Sequence, residues 1–400
     1  MDFNKLCPAL PKVELHAHLN GSLSRSTLLE LKRYNADTGV TDTSDAFLDE
    51  FQIGAGDTRN LSDCFQVFNI AHRLTRTPGS LALATTLTLK EFQDDGCCYI
   101  ELRSTPKETP FMTSRQYIET VSETLRSNAH LAIKSRLIVS INRNSSIKEA
   151  EAISELTISC YKQYPDVIVG IELSGDPTIG QFDDFVPSLI KARCAGLKIT
   201  LHCGEVCNPK EVLQMLRFRP DRIGHGVCIH PNFGGTQETW DALCKFQIPV
   251  EICLTSNVNT KSILDYNSHH FKELYYASVP VIICTDDKGV FSTSLSQEYK
   301  ICADVFGLRP PQLAKLALNA VDYVFASEEQ KSIKEKILNF INKNGLEYME
   351  KAFDRVWHAG LLEKVKTLEL PRRLRALICS EADRSSSRSK TPAPLNAPSQ

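Results

Sequence analysis

The sequence predicts an α/β fold, a (β/α)8 TIM barrel with extra helices, in which eight parallel strands close on themselves. Three observations predict it. First, eight short apolar or β-branched runs lie at 13–19, 98–104, 136–142, 167–174, 198–203, 222–228, 249–256 and 279–286. Most are nearly continuous in apolar character, as parallel strands buried on both faces require. Second, helix-compatible stretches separate them, among them 114–130, 147–163, 181–195 and 294–307. Strands alternating with helices build parallel α/β folds, and eight such units favour a closed barrel. Third, polar residues end almost every run, at the rim where barrels build their active sites. An open doubly wound sheet calls instead for a Gly-rich phosphate turn after an early strand. The chain contains neither G-x-G-x-x-G nor a P-loop.

Taken in order, the first run carries His16-Ala17-His18 and ends at Asn20. Side chains two apart on a strand share a face, so the two imidazoles can grip one divalent ion. Residues 21–97 separate the first two runs and read as largely helical, with a polar, glycine-containing stretch at 49–60. Following the first strand, this insertion sits beside the rim and is expected to cover it as a lid. The second run ends at Ser104 and Thr105, the third at Asn142 and the fourth at Gly175 and Asp176. The fifth ends at His202, with Glu205 three residues on. The sixth holds Gly224-His225-Gly226, the seventh ends at Ser256 and Asn257, and the eighth at Asp286 and Asp287. Residues 310–370 continue as helices packed outside, so 1–370 is expected to be one barrel domain. From Pro371 the composition shifts to Arg372-Arg373, Ser385–Ser387 and Pro392, Pro394 and Pro398. Residues 371–400 are therefore expected to be a disordered tail. Its basic cluster is better read as solvated than as an RNA contact.

The bulk numbers exclude some functions. The chain has 400 residues, 42% of them hydrophobic and 24% charged, with a net charge of −2. Nothing there favours capture of nucleic acid or an anionic membrane surface. No apolar run reaches membrane-spanning length, and the first residues lack a signal-peptide core. The cysteines number 14 and are scattered, several within apolar runs such as those of Cys253 and Cys284. Reduced thiols in the cytosol are the expectation, with the chain a monomer. Cys203-x3-Cys207 lacks the second pair that a zinc knuckle needs.

The chemistry-bearing residues converge on a metal. The first, fifth and eighth strands of a closed barrel can all aim rim side chains at its axis. His16, His18, His202 and Asp286 then form a set of three imidazoles and one carboxylate, which suits zinc or a similar borderline ion. One such histidine alone would read as a hydrogen-bonded core residue. A metal-bound water would have its pKa lowered towards neutrality and become a nucleophile. Glu205 is placed to shuttle a proton, although a glutamate opening the next helix would also suit that helix's dipole. His225, between glycines that leave room for close approach, is placed to orient or deprotonate the water. Asp287 beside Asp286 would be repelled unless a cation intervenes, which again points to a metal.

Five ordered motifs carry a family resemblance: His16-x-His18, His202-x-x-Glu205, 222–226 (RIGHG), 254–257 (LTSN) and Thr285-Asp286-Asp287. Over about 10–350 the chain resembles the adenosine and AMP deaminase family, zinc barrels of the metal-dependent hydrolase superfamily. The resemblance implies one Zn2+ per chain on His16, His18, His202 and Asp286. It implies Glu205 as the acid protonating the purine ring nitrogen beside the attacked carbon, with His225 and Asp287 positioning the nucleophile. It also implies that the backbone of Gly175 binds another ring nitrogen.

Within that family the adenosine deaminase-like branch, which acts on N6-methyl-AMP, is the nearer match. Asn20 stands where adenosine deaminases carry Asp. Residues 101–107 (ELRSTPK), with Ser104, Thr105, Pro106 and Lys107, resemble that branch's phosphate-contact segment, and Lys288 stands where Pro is usual. His72, on the insertion, matches a histidine expected near the substrate. A neutral Asn and added Lys favour a phosphate, although both lysines also read as ordinary surface residues. The implied partner is a small purine nucleotide, the implied reaction N6-methyl-AMP to IMP and methylamine. Deamination of free adenosine is the alternative, and a silent purine-binding protein a third reading. Lys107 in place of an Arg, Asn142 in place of an acidic ribose contact, and Glu172 in place of Asp depart from the family pattern.

Overall fold

The computed structural model describes residues 2–39, 51–54, 57, 59 and 61–346, and the side chains of all of these but 61–66. Eight parallel strands follow one another in chain order around a single sheet. They are β1 (Lys12–His18), β2 (Cys97–Ser104), β3 (Lys134–Asn142), β4 (Ile168–Ser174), β5 (Lys198–Cys203), β6 (Arg222–His225), β7 (Val250–Ile252) and β8 (Val281–Ile283). The seam between β8 and β1 closes at the rim through one parallel bridge, Ala17 to Asp286. There His18 N–H donates to Asp286 O at 3.1 Å and Asp286 N–H to His16 O at 2.8 Å. Lower in the seam the buried Glu14 carboxylate replaces missing ladder bonds. It accepts from His16 N at 2.8 Å and from Thr285 N and Oγ1 at 3.0 and 2.9 Å. Four residues of β1, from Glu14 to Ala17, match three of β2, from Ile100 to Leu102. This irregularity re-aims the rim of β1.

The expected runs are strands, with two shortenings that matter. β6 ends at His225, whose φ of 62° leaves the extended region. β7 ends at Ile252 because the chain then turns into the buried helix Leu254–Asn259. The expected helices are Ser114–Ser127, Ile147–Gln163, Phe182–Cys194 and Leu295–Phe306. Local chemistry starts them: Thr113 with Gln116 and Ser146 with Glu149 form capping boxes, and Ser294 caps the last. Gly307, at φ 70°, ends that last helix.

The insertion after β1 holds the helices Arg25–Asp37, Leu61–Leu74 and Pro78–Asp94. Leu28, Leu31, Ile70 and Leu74 bury with Val290 and Phe291 of the loop after β8 in a cluster of their own. Each such side chain contributes roughly 1.5–3 kcal/mol on burial, so the insertion is fastened to the rim. Most of the stretch at 49–60 and all of the tail at 371–400 lie outside the described residues. The chain divides into compact units 1–340 and 341–400, whereas composition alone sets the boundary at 370. The site belongs wholly to the first unit. Among the described residues no helix is long and apolar enough to cross a membrane.

Candidate active site

His16 and His18 leave β1 at the rim and meet His202 from β5 and Asp286 from the turn after β8. His16 Nε2 lies 3.1 Å from Asp286 Oδ1, and His18 Nε2 lies 3.3 Å from both Asp286 Oδ1 and His202 Nε2. Ligand atoms of His16, His202, His225 and Asp286 lie within 4.8 Å of one another, as do those of His16, His18, Glu172 and His202. Asp286 holds φ 61°, a left-handed conformation that costs energy and persists only where the surroundings enforce it. Its Oδ2 accepts from Ser256 Oγ at 2.7 Å.

This donor set fits a divalent ion. His16 Nδ1 lies 2.8 Å from the Glu251 carboxylate, so that nitrogen donates there and Nε2 is the one that faces the cluster, free to serve as a metal ligand once its own proton leaves. Buried in the barrel, that Nε2 has no hydrogen-bond partner among the described residues. His202 Nδ1 lies 3.1 Å from Glu172 and its Nε2 faces His18. Ring nitrogens and a carboxylate thus converge on one point, an arrangement that a divalent cation satisfies. Burial and Arg103 pull the His16 pKa down, but Asp286 and Glu251 outweigh them and raise it to about 9. The spot favours positive charge. Burial pushes His18 down to about 3, which keeps it a neutral ligand.

Beneath the cluster the barrel interior is charged. Arg103 and Arg222 are fully buried with Glu101, Glu172 and Glu251. Arg103 pairs with Glu172 and donates to Glu251 at 2.7 Å. Arg222 donates to Glu251 at 2.7 Å and to Glu101 at 2.6 Å. Burial would raise Glu251, but Arg103 and Arg222 hold it well below the usual carboxylate range. Glu172 is held low against burial by Arg103 and His202. Both carboxylates therefore stay ionised as supports for the histidines.

Glu205 opens into the same cavity with its side chain buried. Burial raises its carboxyl to about 7, so it holds a proton near neutrality. Its Oε1 lies 3.6 Å from His225 Nε2. His225 is kept neutral by burial and faces Asn257 Nδ2 at 3.1 Å through Nδ1. Asp287 is raised well above the usual range by burial and by Asp286, and its buried Oδ1 has no partner among the described residues. Gly21 makes room for it, since a Cβ there would lie 1.7 Å from Asp287 Oδ1. Gly224 likewise makes room for the His16 ring, whose Cε1 would lie 2.7 Å from a Cβ at that position.

A cavity of about 740 Å³ runs outward from this cluster. Its lining includes His18, Asn20, His72, Ser104, Thr105, Pro106, Lys107, Asn142, Gly175 and Asp287, each expected there from the sequence. Asn20 Nδ2 donates to His72 Nδ1 at 2.9 Å, which leaves the other His72 nitrogen to donate. Burial and then Lys107 lower His72 to about 3. Ser104 Oγ is 2.7 Å from Tyr117 Oη. Asn142 Oδ1 accepts from Asn144 N at 2.9 Å in a local turn, against Gly175 at φ 101°.

Lys288 requires correction. It does not line the cavity. Its ammonium pairs with Glu91 of the helix Pro78–Asp94 and lies 5.1 Å over the Phe92 ring. Glu91 also accepts from Thr27 Oγ1 at 2.7 Å. An ammonium neutralised there fastens the insertion to the loop after β8. Lys288→Ala is thus expected to cost about 1 kcal/mol of stability and to change nucleotide and nucleoside turnover equally, within about twofold. Lys107→Ala, at the exposed mouth, is expected to raise KM for a nucleotide by about tenfold and leave a nucleoside unaffected. Steady-state kinetics on both substrates separates the two lysines.

The residues that motif and spacing do not single out are the supports. Glu251 lies within an apolar run, Arg103 and Glu101 lie within the segment that resembles a phosphate contact, and Glu172 stands out only as a departure from the family pattern. Their signal is charge at inward strand positions, which a buried barrel tolerates only in pairs.

The chain matches the family model described as adenosine deaminase over residues 11–343. It is 39% identical over 337 residues to the human N6-methyl-AMP deaminase, covering 83% of this chain and 93% of that protein. It is 40% identical over 349 residues to the Arabidopsis thaliana N6-mAMP deaminase, covering 81% and 94%. A crystal structure of Arabidopsis ADAL complexed with IMP superposes with a TM-score of 0.75 at 39% identity, covering 84% of this chain and 98% of that one.

Proposed function

The chain belongs to the adenosine deaminase family, and we propose that within it the reaction is hydrolytic removal of the 6-amino substituent of a purine 5′-nucleotide, N6-methyl-AMP giving IMP and methylamine. One observation carries the reading. A buried acid that is protonated near neutrality, Glu205, stands beside a three-histidine, one-aspartate cluster at one end of a cavity. Lys107, Thr105, Ser104 and His72 line the same cavity, and the relatives named for N6-methyl-AMP support that substrate.

His16, His18, His202 and Asp286 would hold one Zn2+ per chain, which supplies a water acidic enough to attack carbon near pH 7. Glu205 gives its proton to the ring nitrogen beside C6 as that carbon becomes tetrahedral, which neutralises the charge developing on the ring. His225 and Asp287 orient the attacking water through Nε2 and the unpartnered Oδ1. The C6–N bond then breaks, its electrons and a proton leave with methylamine, and the oxygen remains as the product carbonyl. The Gly175 backbone holds a second ring nitrogen, and Asn142 faces the sugar. Asn20 and His72, with Ser104, Thr105 and Lys107, receive the phosphate as hydrogen-bond donors and one positive charge, and Pro106 shapes the segment between them.

All these residues come from one chain, which supports a working monomer. The cysteines whose side chains are described are free thiols, which fits the cytosol. The test is release of IMP by zinc-loaded protein from N6-methyl-AMP, with AMP and adenosine alongside. We expect kcat/KM for N6-methyl-AMP to exceed that for adenosine by at least about 100-fold. No IMP from N6-methyl-AMP would end this reading, and a preference for adenosine would replace it with nucleoside deamination.

A further inference from the structure

His225 sits in a strained piece of backbone. Its φ is 62° and that of Gly226 is 67°. Gly226 N–H donates to Gly224 O at 2.9 Å, closing a three-residue turn with His225 at its centre. A three-residue turn with positive φ at the centre is the rare, strained form. Such a conformation survives only where neighbours over-determine it. Gly226 N–H also reaches Cys203 O at 2.9 Å, which ties the turn to β5.

Among the described residues the His225 carbonyl has one side-chain partner. His270, at the start of the helix Phe271–Tyr276, places Nε2 2.8 Å from His225 O. His270 is 1% exposed. Its ring stacks on His269 with centroids 4.5 Å apart and meets the edge of Phe233 at 5.9 Å. His269 is itself pinned, accepting from Phe271 N at 3.1 Å through Nδ1. Packing and the hydrogen bond together lock the donor. Among the described residues His270 Nδ1 has no partner, so the one hydrogen bond that this buried ring makes is to the carbonyl of His225.

We infer that His270 is a positioning residue for the reaction: its Nε2–H holds the His225 carbonyl, fixes the left-handed turn, and thereby aims the His225 imidazole at Glu205 and the attacking water. Asn257 sets the ring from the side-chain end and His270 sets it from the backbone end. The inference rests on the function proposed above only for its kinetic readout.

The two amide residues make the test selective. A glutamine amide nitrogen falls where histidine Nε2 lies, whereas an asparagine amide nitrogen falls where Nδ1 lies. His270→Gln is expected to keep kcat within about threefold of wild type. His270→Asn is expected to lower kcat by about 10²-fold, the scale of a misplaced group near the chemistry, with KM and zinc content within about twofold. A structural readout stands apart from activity. A crystal structure of His270→Asn should show His225 leaving φ near 60° and its ring turned from Glu205, and His270→Gln should retain both. The inference is overturned if folded His270→Asn keeps the turn at His225 or wild-type kcat. It is equally overturned if His270→Gln is as slow as His270→Asn. If wild type fails on N6-methyl-AMP, the proposed function falls, and the crystal comparison still decides the role of His270.

Discussion

Glu205→Gln is expected to lose about 10²–10⁴-fold in kcat on N6-methyl-AMP, the usual worth of a positioned acid, while keeping its fold and its metal. Glutamine preserves the volume and a hydrogen-bond donor but has no proton to release. Burial raises the Glu205 carboxyl to about 7. The wild-type enzyme therefore needs the protonated form, which is present below that value and lost above it. kcat/KM should be flat on the acid side and fall about tenfold per pH unit above roughly pH 7.5, with the limb absent from the residual activity of the variant. The same shift has a sign for stability. A carboxyl raised from 4.5 to about 7 binds more protons folded than unfolded. It thus destabilises the fold progressively as pH rises through that window. Metal-free Glu205→Gln should then melt above metal-free wild type at pH 8. A variant that keeps full activity, or a pH profile without an alkaline limb, would remove Glu205 from the acid's role.

Glu251→Gln is expected to do the opposite, harming stability and metal affinity together. Glu251 accepts from His16, Arg103, Arg222 and Thr200 with no exposure to water. The change is nearly isosteric, so packing is preserved and charge alone is removed. Arg103 and Arg222 then share fewer anions inside the barrel. Breaking a buried pair by removing one partner costs about 3–5 kcal/mol, which for a domain of this size lowers Tm by roughly 10 °C. His16 also loses the partner that fixes its tautomer and orientation. Zinc affinity should fall by about 10–100-fold. Thermal melting of the metal-free protein separates the first effect, and competition with a chelator measures the second. Unchanged melting and unchanged zinc retention would show that Arg103 and Arg222 are satisfied without it.

Much of the site is legible from chemistry at strand ends. His16, His18, His202 and Asp286 are ligand types at the C-terminal ends of apolar runs, and a barrel brings those ends to one rim. Glu205, His225 and Asp287 follow from their spacing to those four. The helix starts at Thr113, Ser146 and Ser294 are legible because caps are written in adjacent residues. The ends of β6 and β7 are less so. Both runs stay apolar past their last paired residue, and the backbone leaves the sheet there to turn His225 towards the cavity and Asn257 towards His225.

Lys288 shows what charge alone leaves open. A lysine where the family usually has Pro reads either as a phosphate contact or as an ordinary surface residue, and here Glu91, 197 residues away in the chain, pairs with its ammonium. The sequence by itself determined the barrel and the candidate ligand and acid types at its strand ends, because periodicity, capping and donor chemistry are local properties, and its ordered motifs carried the family. Only the tertiary structure decided which charge meets which. Glu251 with Arg103 and Arg222, Glu172 with His202, Lys288 with Glu91 and His270 with the His225 carbonyl are all long-range pairs. Electrostatic and hydrogen-bond energies depend on distance in space and on the dielectric between the groups, and neither is written in the spacing along a chain.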